Sequence, residues 1–351
     1  MKLLARLAAL AALLVALLAP GVARAQRDLV GEAPPGGVTV PALPGDHVTE
    51  QRGPLAISFP RAMRPLVEGA LGRAERDARA VAAQLGVAQV PALHVRLVGD
   101  AEAMRRLAPP ELPPPAYAVG VAYPMVRTVL VSATAPVTRE ASNMPQVLRH
   151  ELSHLLFAEA SGHRPLPRWL AEGIAVHQSD ENTFERFQEL ASASWSGRLL
   201  PLARLDEGFA EGPTEVSVAY AQAADFTGYL LRKEGPSRFA VMLAHVRDGA
   251  SLDDAARETW GADLASLEAD WRRDLGDRMA FAPLWAGTGA LSLAGAAFVV
   301  VAMVRRRRRN RTVLARWERE ERTARASRWA LLGRPPLRLV PRPDDENPTL
   351  H

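Results

Sequence analysis

The chain has 351 residues, of which 48% are hydrophobic and 23% charged; that is room for about two ordinary domains and excludes a wholly disordered chain. Cysteine is absent, which excludes disulfide staples, thiol catalysis, thiolate metal sites and iron–sulfur clusters, so any metal must be held by His, Asp or Glu. The net charge of +4 points to a nucleic-acid partner only until it is divided: residues 1–25 carry +3, residues 305–351 carry +8 and the body between them carries −7.

At the N-terminus, Lys2 and Arg6 flank the start of an apolar run from Leu7 to Leu18, and Ala23-Arg24-Ala25 is a small-x-small site before Gln26. This pattern predicts a cleaved signal peptide over residues 1–25. Residues 26–54 are expected to be a Pro/Gly-rich linker, densest in Pro and Gly over 31–46. Strands are expected at Leu55–Phe59, Leu93–Val98, Tyr117–Tyr123 and Val126–Ser132, the last two paired across a turn at Tyr123-Pro124-Met125. Arg64–Leu85 has helical periodicity and Gly86 to end it; Pro109–Pro115 is a proline-rich loop.

From there the sequence becomes almost entirely helical. Helices are expected over Met144–Ala160, Pro167–His177, Thr183–Ala193, Glu215–Lys233, Ser237–Val246, Leu252–Thr259 and Ala262–Met279. Strands with one helix first and helices afterwards make an α+β order. Trp285–Val304 then gives 20 residues without a charge, enough at 1.5 Å per residue to cover about 30 Å of hydrocarbon. Arg305–Arg309 follow at once, a stop-transfer signal that stays cytoplasmic. The expected topology is an extracytoplasmic or periplasmic body, a single transmembrane helix over 285–304 in the inner or plasma membrane, and a basic cytoplasmic tail over 305–351. The bilayer is therefore one expected partner. Nucleic acid is not, because no recognised fold accompanies the tail arginines.

The chemistry lies in His150-Glu151-Leu152-Ser153-His154. On a helix, residues four apart share a face, so two imidazoles can bind one zinc and the adjacent Glu can reach a metal-bound water. Ser142 or Asn143 can cap this helix. Leu148, Leu152, Leu155 and Leu156 form an apolar stripe opposite the histidines, which predicts one face on a core and the other on a cleft. A third ligand should follow. The metzincin pattern fails, because Phe157 and Ala160 stand where it needs Gly and His. Glu172, 18 residues after His154, is an acid in a mostly apolar helix and the leading candidate, ahead of Glu159 and Asp180. His47, His94, His163, His177 and His245 are expected to be surface or hydrogen-bonded histidines, with His163 in the turn between the motif helices and close to the cleft.

His-Glu-Leu-Ser-His followed by Trp169-Leu170-Ala171-Glu172-Gly173-Ile174-Ala175 resembles the gluzincins, the peptidase MA-like metallohydrolases, over about residues 55–280. Weaker likeness lies in Ala219-Tyr220-Ala221-Gln222, Tyr229-Leu230-Leu231 and Leu267-Glu268-Ala269-Asp270-Trp271. The resemblance implies a zincin-like domain over 55–280, zinc held by His150, His154 and Glu172, and Glu151 as general base. Three protein ligands leave a fourth zinc position for water, whose pKa falls towards about 7. Glu151 then takes the water proton and passes it to the leaving amine. Tyr220 is the first candidate for an oxyanion donor, against the alternative of a buried core tyrosine; Tyr229 and Tyr123 stay open. The strand over 126–132 is expected to lie along the cleft and pair with an extended peptide. The expected function is a membrane-anchored zinc metallopeptidase acting on peptides or proteins. The alternatives are a non-catalytic zinc-binding domain that senses or recruits a partner, and a zinc hydrolase of a non-peptide substrate.

Overall fold

A computed structural model of the chain describes residues 37–135, 143–181, 184–210 and 212–280, together with Val299, Val301 and Met303. The signal peptide expected over 1–25, the start of the expected linker, the tail over 305–351 and all but those three residues of the stretch 285–304 lie outside the described residues. Among the described residues no helix is long and apolar enough to cross a membrane. The chain divides into two compact units, Met1–Met279 and Ala280–His351, and the fold below is that of the first.

β1 (His47–Arg52), β2 (Leu55–Pro60), β3 (Leu93–Val98), β4 (Gly120–Tyr123) and β5 (Thr128–Ser132) form one sheet in the order β1-β2-β3-β5-β4. β2, β3 and β5 run parallel, and β1 and β4 join the two sides antiparallel. β5 reads as an apolar run because both its faces are covered, whereas β3 alternates Leu93, Val95 and Leu97 with His94 and Arg96; Leu55, Ile57, Leu93, Val95, Val129, Leu130 and Val131 are all shut off from water. β1 corrects the expectation of a linker through residue 54. Its polar sequence, His-Val-Thr-Glu-Gln-Arg, alternates between half-buried and exposed positions, as an edge strand does. It is held by pairing with β2 from His47↔Pro60 to Arg52↔Leu55 and by a hydroxyl contact between Thr49 and Ser58 at 2.8 Å.

β4 and β5 meet as a hairpin, Gly120 opposite Val131 and Tyr123 opposite Thr128. A single 3-10 turn over Pro124–Val126 joins them, and Arg127 closes it in the left-handed region at φ 48°. The expectation that strand 126–132 borders a cleft is corrected here. β5 has β3 on one side and β4 on the other, so it has no edge to offer a peptide. That edge belongs to β4.

Ten helices accompany this sheet among the described residues: α1 (Arg64–Gln84), α2 (Ala101–Leu107), α3 (Met144–Ala160), α4 (Arg168–Gln178), α5 (Phe184–Ser196), α6 (Leu205–Gly208), α7 (Pro213–Glu234), α8 (Pro236–Arg247), α9 (Leu252–Trp260) and α10 (Leu264–Ala280). The mixed α+β order and the mostly helical second half agree with the sequence reading. α2 and α6 are too short to show a periodicity, and α2 is announced only by Asp100, whose carboxylate accepts from the Ala103 amide at 2.8 Å.

α3 packs against α1, the β4–β5 hairpin and α4. It is therefore buried all round: Leu148, Leu152, Leu155 and Leu156 are in the core, but so are His150, Glu151 and His154. The expectation of one core face and one open face is corrected accordingly. Nor does Asn143 cap the helix; its side-chain amide donates to Gln146 Oε1 instead (3.1 Å), while Ser142 lies outside the described residues.

Candidate metal centre

The helix α3 sets the first pair. His150 and His154 stand one turn apart with ring centroids 4.9 Å from each other and planes at 67°. The hairpin is tied to the far end of α3, because Arg127 Nε and Nη2 donate to the two oxygens of Glu159 at 2.7 and 3.1 Å.

The third member comes from α4, and three contacts fix that helix. Its first two amides, Arg168 N and Trp169 N, donate to the Asp206 carboxylate at 2.9 and 2.8 Å, so an acid from α6 satisfies amides that helix α4 leaves open. At its far end Ser153 Oγ donates to Gln178 Oε1 at 2.6 Å, and Gln178 Nε2 donates to Gln84 Oε1 at 3.1 Å, which links α3, α4 and α1. Along its length α4 lies on α7 at Gly173, where a β-carbon would stand 2.2 Å from Thr227 Oγ1 and 2.5 Å from the Ala223 carbonyl oxygen. Only glycine permits that approach.

The result brings His150, His154 and Glu172 together. Glu172 Oε2 is 3.6 Å from His150 Nε2 and 3.9 Å from His154 Nε2, and one ligand atom from each residue lies within 4.8 Å of the others. Tetrahedral ligands at ordinary zinc distances stand about 3.3 Å apart, so the group needs little adjustment to hold an ion. Glu172 is 0%, His154 2% and His150 5% exposed. His150 Nε2 and Glu172 Oε2 are shut off from water and make no hydrogen bond. Burying such atoms without a hydrogen bond is costly, and a divalent cation is a partner that two imidazoles and a carboxylate suit.

The electrostatics favour the ligating forms of Glu172 and His154. Burial alone would raise the Glu172 carboxyl, yet His150, His154 and Arg168 around it bring it down to about 2. Burial pushes His154 down to about 4, which keeps it a neutral ligand. Burial works against charge on His150 as well, but Glu181, Glu172 and Glu151 together raise it well above its ordinary value. Glu181 Oε1 lies 3.3 Å from His150 Nδ1 and is itself paired with Arg186. This places a carboxylate behind the ring nitrogen that faces away from Glu172, an arrangement that orients metal-ligating histidines.

Glu151 is 1% exposed and faces β4. A β-carbon on Gly120 would stand 2.4 Å from Glu151 Oε1 and 2.7 Å from Val147 Cγ1. The sheet edge thus comes within contact of this carboxylate only because residue 120 is glycine.

Residues 77–277, more than half of the chain, match the Peptidase MA superfamily. The chain belongs to that superfamily. No curated protein matches it. Membership makes the body a metallopeptidase-like hydrolase domain. The match begins inside α1 and ends inside α10, so α3, α4 and α7 lie wholly within the Peptidase MA segment, while β1 and β2 precede it.

The remaining sequence candidates fall elsewhere in the Peptidase MA domain. Glu159 is engaged by Arg127, and Asp180 is an exposed residue paired with Arg149 at 3.3 Å. Neither joins the ligand group. His163, expected close to the cleft, is largely exposed at φ 56° and lies 3.3 Å from Glu159. His47 and His245 pair with Asp46 and Glu258, His177 bonds the Ala224 carbonyl, and His94 is exposed. Tyr123 is buried, and its hydroxyl donates to the Leu112 carbonyl at 3.0 Å; burial and the nearby Glu151 push its pKa up. Tyr229 is half-buried and stacks on Phe226. Tyr220 reaches the centre: its hydroxyl donates to Glu172 Oε1 at 3.0 Å.

Three contributors escape the motif. Glu181 lies nine residues past Glu172, outside any pattern. Gly120 sits in a strand far upstream. Arg168 was within reach of helical periodicity, since it precedes Glu172 by one turn and donates to Glu172 Oε1 through Nε and Nη2 at 3.3 and 3.2 Å.

Proposed function

We propose that this chain is a membrane-anchored, extracytoplasmic zinc metallopeptidase that hydrolyses peptide bonds in peptide or protein substrates. The observation that carries the reading is the convergence of His150 Nε2, His154 Nε2 and Glu172 Oε2 as a buried group in a Peptidase MA domain. These three side chains would hold the ion, with Glu181 steadying His150 from behind. Bound there, zinc would supply a polarised carbonyl and a water of lowered pKa.

Glu151 acts as general base: it accepts the proton of the attacking water and returns it to the departing amine. A site that held metal only for structure would have no use for this carboxylate or for the glycine that makes room for it. β4 pairs on one side alone among the described residues, so an extended substrate would add to that edge beside Glu151. Anchoring and topology are supported by the charged start, apolar run and small-x-small site within residues 1–25, and by the uncharged stretch 285–304 with five arginines behind it.

The test is Glu151→Gln in the purified full-length chain. Zinc content should stay at the wild-type level while peptide hydrolysis falls by about 10²- to 10⁴-fold. Hydrolysis should also stop on chelation and return with added zinc. Cleavage that survives the substitution would falsify the assignment of the base.

A further inference from the structure

The two oxygens of Glu172 live in different surroundings. Oε2 faces the two histidines and makes no hydrogen bond. Oε1 accepts from the Tyr220 hydroxyl at 3.0 Å, from Arg168 Nη2 at 3.2 Å and from Arg168 Nε at 3.3 Å. Both donors are built in place. The Arg168 guanidinium lies 4.6 Å over the Phe209 ring, and the same ring meets Tyr220 edge-on at 5.1 Å. Tyr220 is carried to Glu172 by α7 through the close approach at Gly173, and Arg168 shares the helix face of Glu172 one turn earlier.

We propose that Arg168 and Tyr220 are positioning residues that reserve Glu172 Oε1, so that this carboxylate takes a metal through Oε2 alone. The inference rests on the ligand reading above and deepens it. To bind through both oxygens, Glu172 would have to turn Oε1 away from three N–H and O–H groups and give up the bonds they make to it. Holding Oε1 in place therefore keeps the carboxylate a one-atom ligand. Two imidazoles and one carboxylate oxygen then leave a coordination position open, the condition that separates a catalytic zinc site from a closed structural one. The same geometry gives Tyr220 a part in holding the ligand, since its hydroxyl donates to Glu172 Oε1.

The experiment uses the purified full-length chain, with Zn2+ affinity measured by competition against a chromophoric chelator and Co2+ bound in place of zinc for visible spectroscopy. Tyr220→Phe and Arg168→Gln should each weaken Zn2+ binding by about 10- to 100-fold. The double variant should also lose intensity in the Co2+ d–d bands, because a carboxylate freed to bind through two oxygens raises the coordination number. Arg168→Lys, which keeps a cationic donor, should recover part of the Zn2+ affinity. Tyr220→Phe keeps the ring and its contact with Phe209, so it decides the matter if the arginine variant unfolds. Unchanged Zn2+ affinity and an unchanged Co2+ spectrum in folded variants would overturn this inference alone. A wild-type chain that binds neither metal would overturn the ligand reading and this inference with it.

Discussion

The two helices that supply the candidate ligands are held by different means. α3 carries two ligands one turn apart, and the helix itself sets their spacing. α4 carries one, and nothing in its own sequence puts that carboxylate beside the histidines. Its position depends on Asp206 at its first turn, Gly173 along its length and the Ser153–Gln178 bond at its end. Local geometry makes the histidine pair; tertiary packing completes the group. Substitutions on α3 should therefore act directly on metal binding, while those around α4 should act through helix placement.

The largest effect should come from His154→Ala. Zinc affinity should fall by more than the about 10- to 100-fold that outer partners typically cost, measured by chelator competition. An affinity close to wild type would break the comparison, because α3 would then not be the primary binding element. Next comes Gly120→Ala. The added β-carbon meets Glu151 Oε1 at 2.4 Å and Val147 Cγ1 at 2.7 Å, so the carboxylate must shift. A displacement of about 1 Å at a reacting group costs on the order of 100-fold in rate. Peptide turnover should fall by about that factor with zinc content unchanged, and a loss of zinc instead would show that β4 supports the ligands as well as the base.

Gly173→Ala should act on the other helix. The new methyl group meets the Ala223 carbonyl oxygen at 2.5 Å, which is backbone and cannot swing aside, so α4 must lift from α7. Overpacking of this kind destabilises by about 1–3 kcal/mol, to be read from urea unfolding. Zinc affinity should fall with it, because the carboxylate moves with the helix. Stability lost without any change in affinity would mean that Glu172 is held by Arg168 and Tyr220 independently of the α4–α7 contact.

The same contrast explains what the sequence could reveal. The extent of α3, from Met144 to Ala160, was legible because Leu148, Leu152, Leu155 and Leu156 recur at helical spacing and no Gly or Pro interrupts the helix after its first turn. His150, Glu151 and His154 were legible because their relation is local. Glu172 needed a recognised second segment, since 18 residues of spacing alone say nothing about where the chain returns. β1 was hidden by its polarity, because an edge strand is held by backbone pairing that leaves no apolar signature. The choice of β5 over β4 as the cleft strand failed for a related reason: strand order in a sheet is a tertiary property, and adjacent apolar segments do not say which of them lies outside. Glu181 and Asp206 act across loops from positions with no fixed spacing to the residues they serve.

Asp206 gives the smallest and most discriminating effect. Its carboxylate accepts from the Arg168 and Trp169 amides at the end of α4 where Pro167 has no side chain able to do so. Asp206→Ala leaves those amides to water and should cost about 1 kcal/mol of stability, within the range seen for lost helix caps. Asp206→Asn keeps one of the two acceptor oxygens but loses the other and the charge that favours a helix N-terminus, so its loss should be smaller than that of Ala, about 0.3–1 kcal/mol. Asp206 is exposed, so neither change opens a core cavity, and differences in urea midpoint report the cap alone. The first turn of α4 also carries Arg168, whose guanidinium holds Glu172 Oε1. If capping sets that turn, zinc affinity should fall in the same order, Ala more than Asn. If affinity stays flat while stability falls, the stacking of Arg168 on Phe209 holds the guanidinium without help from the cap, and the dependence of α4 on tertiary support narrows to Gly173 and Gln178.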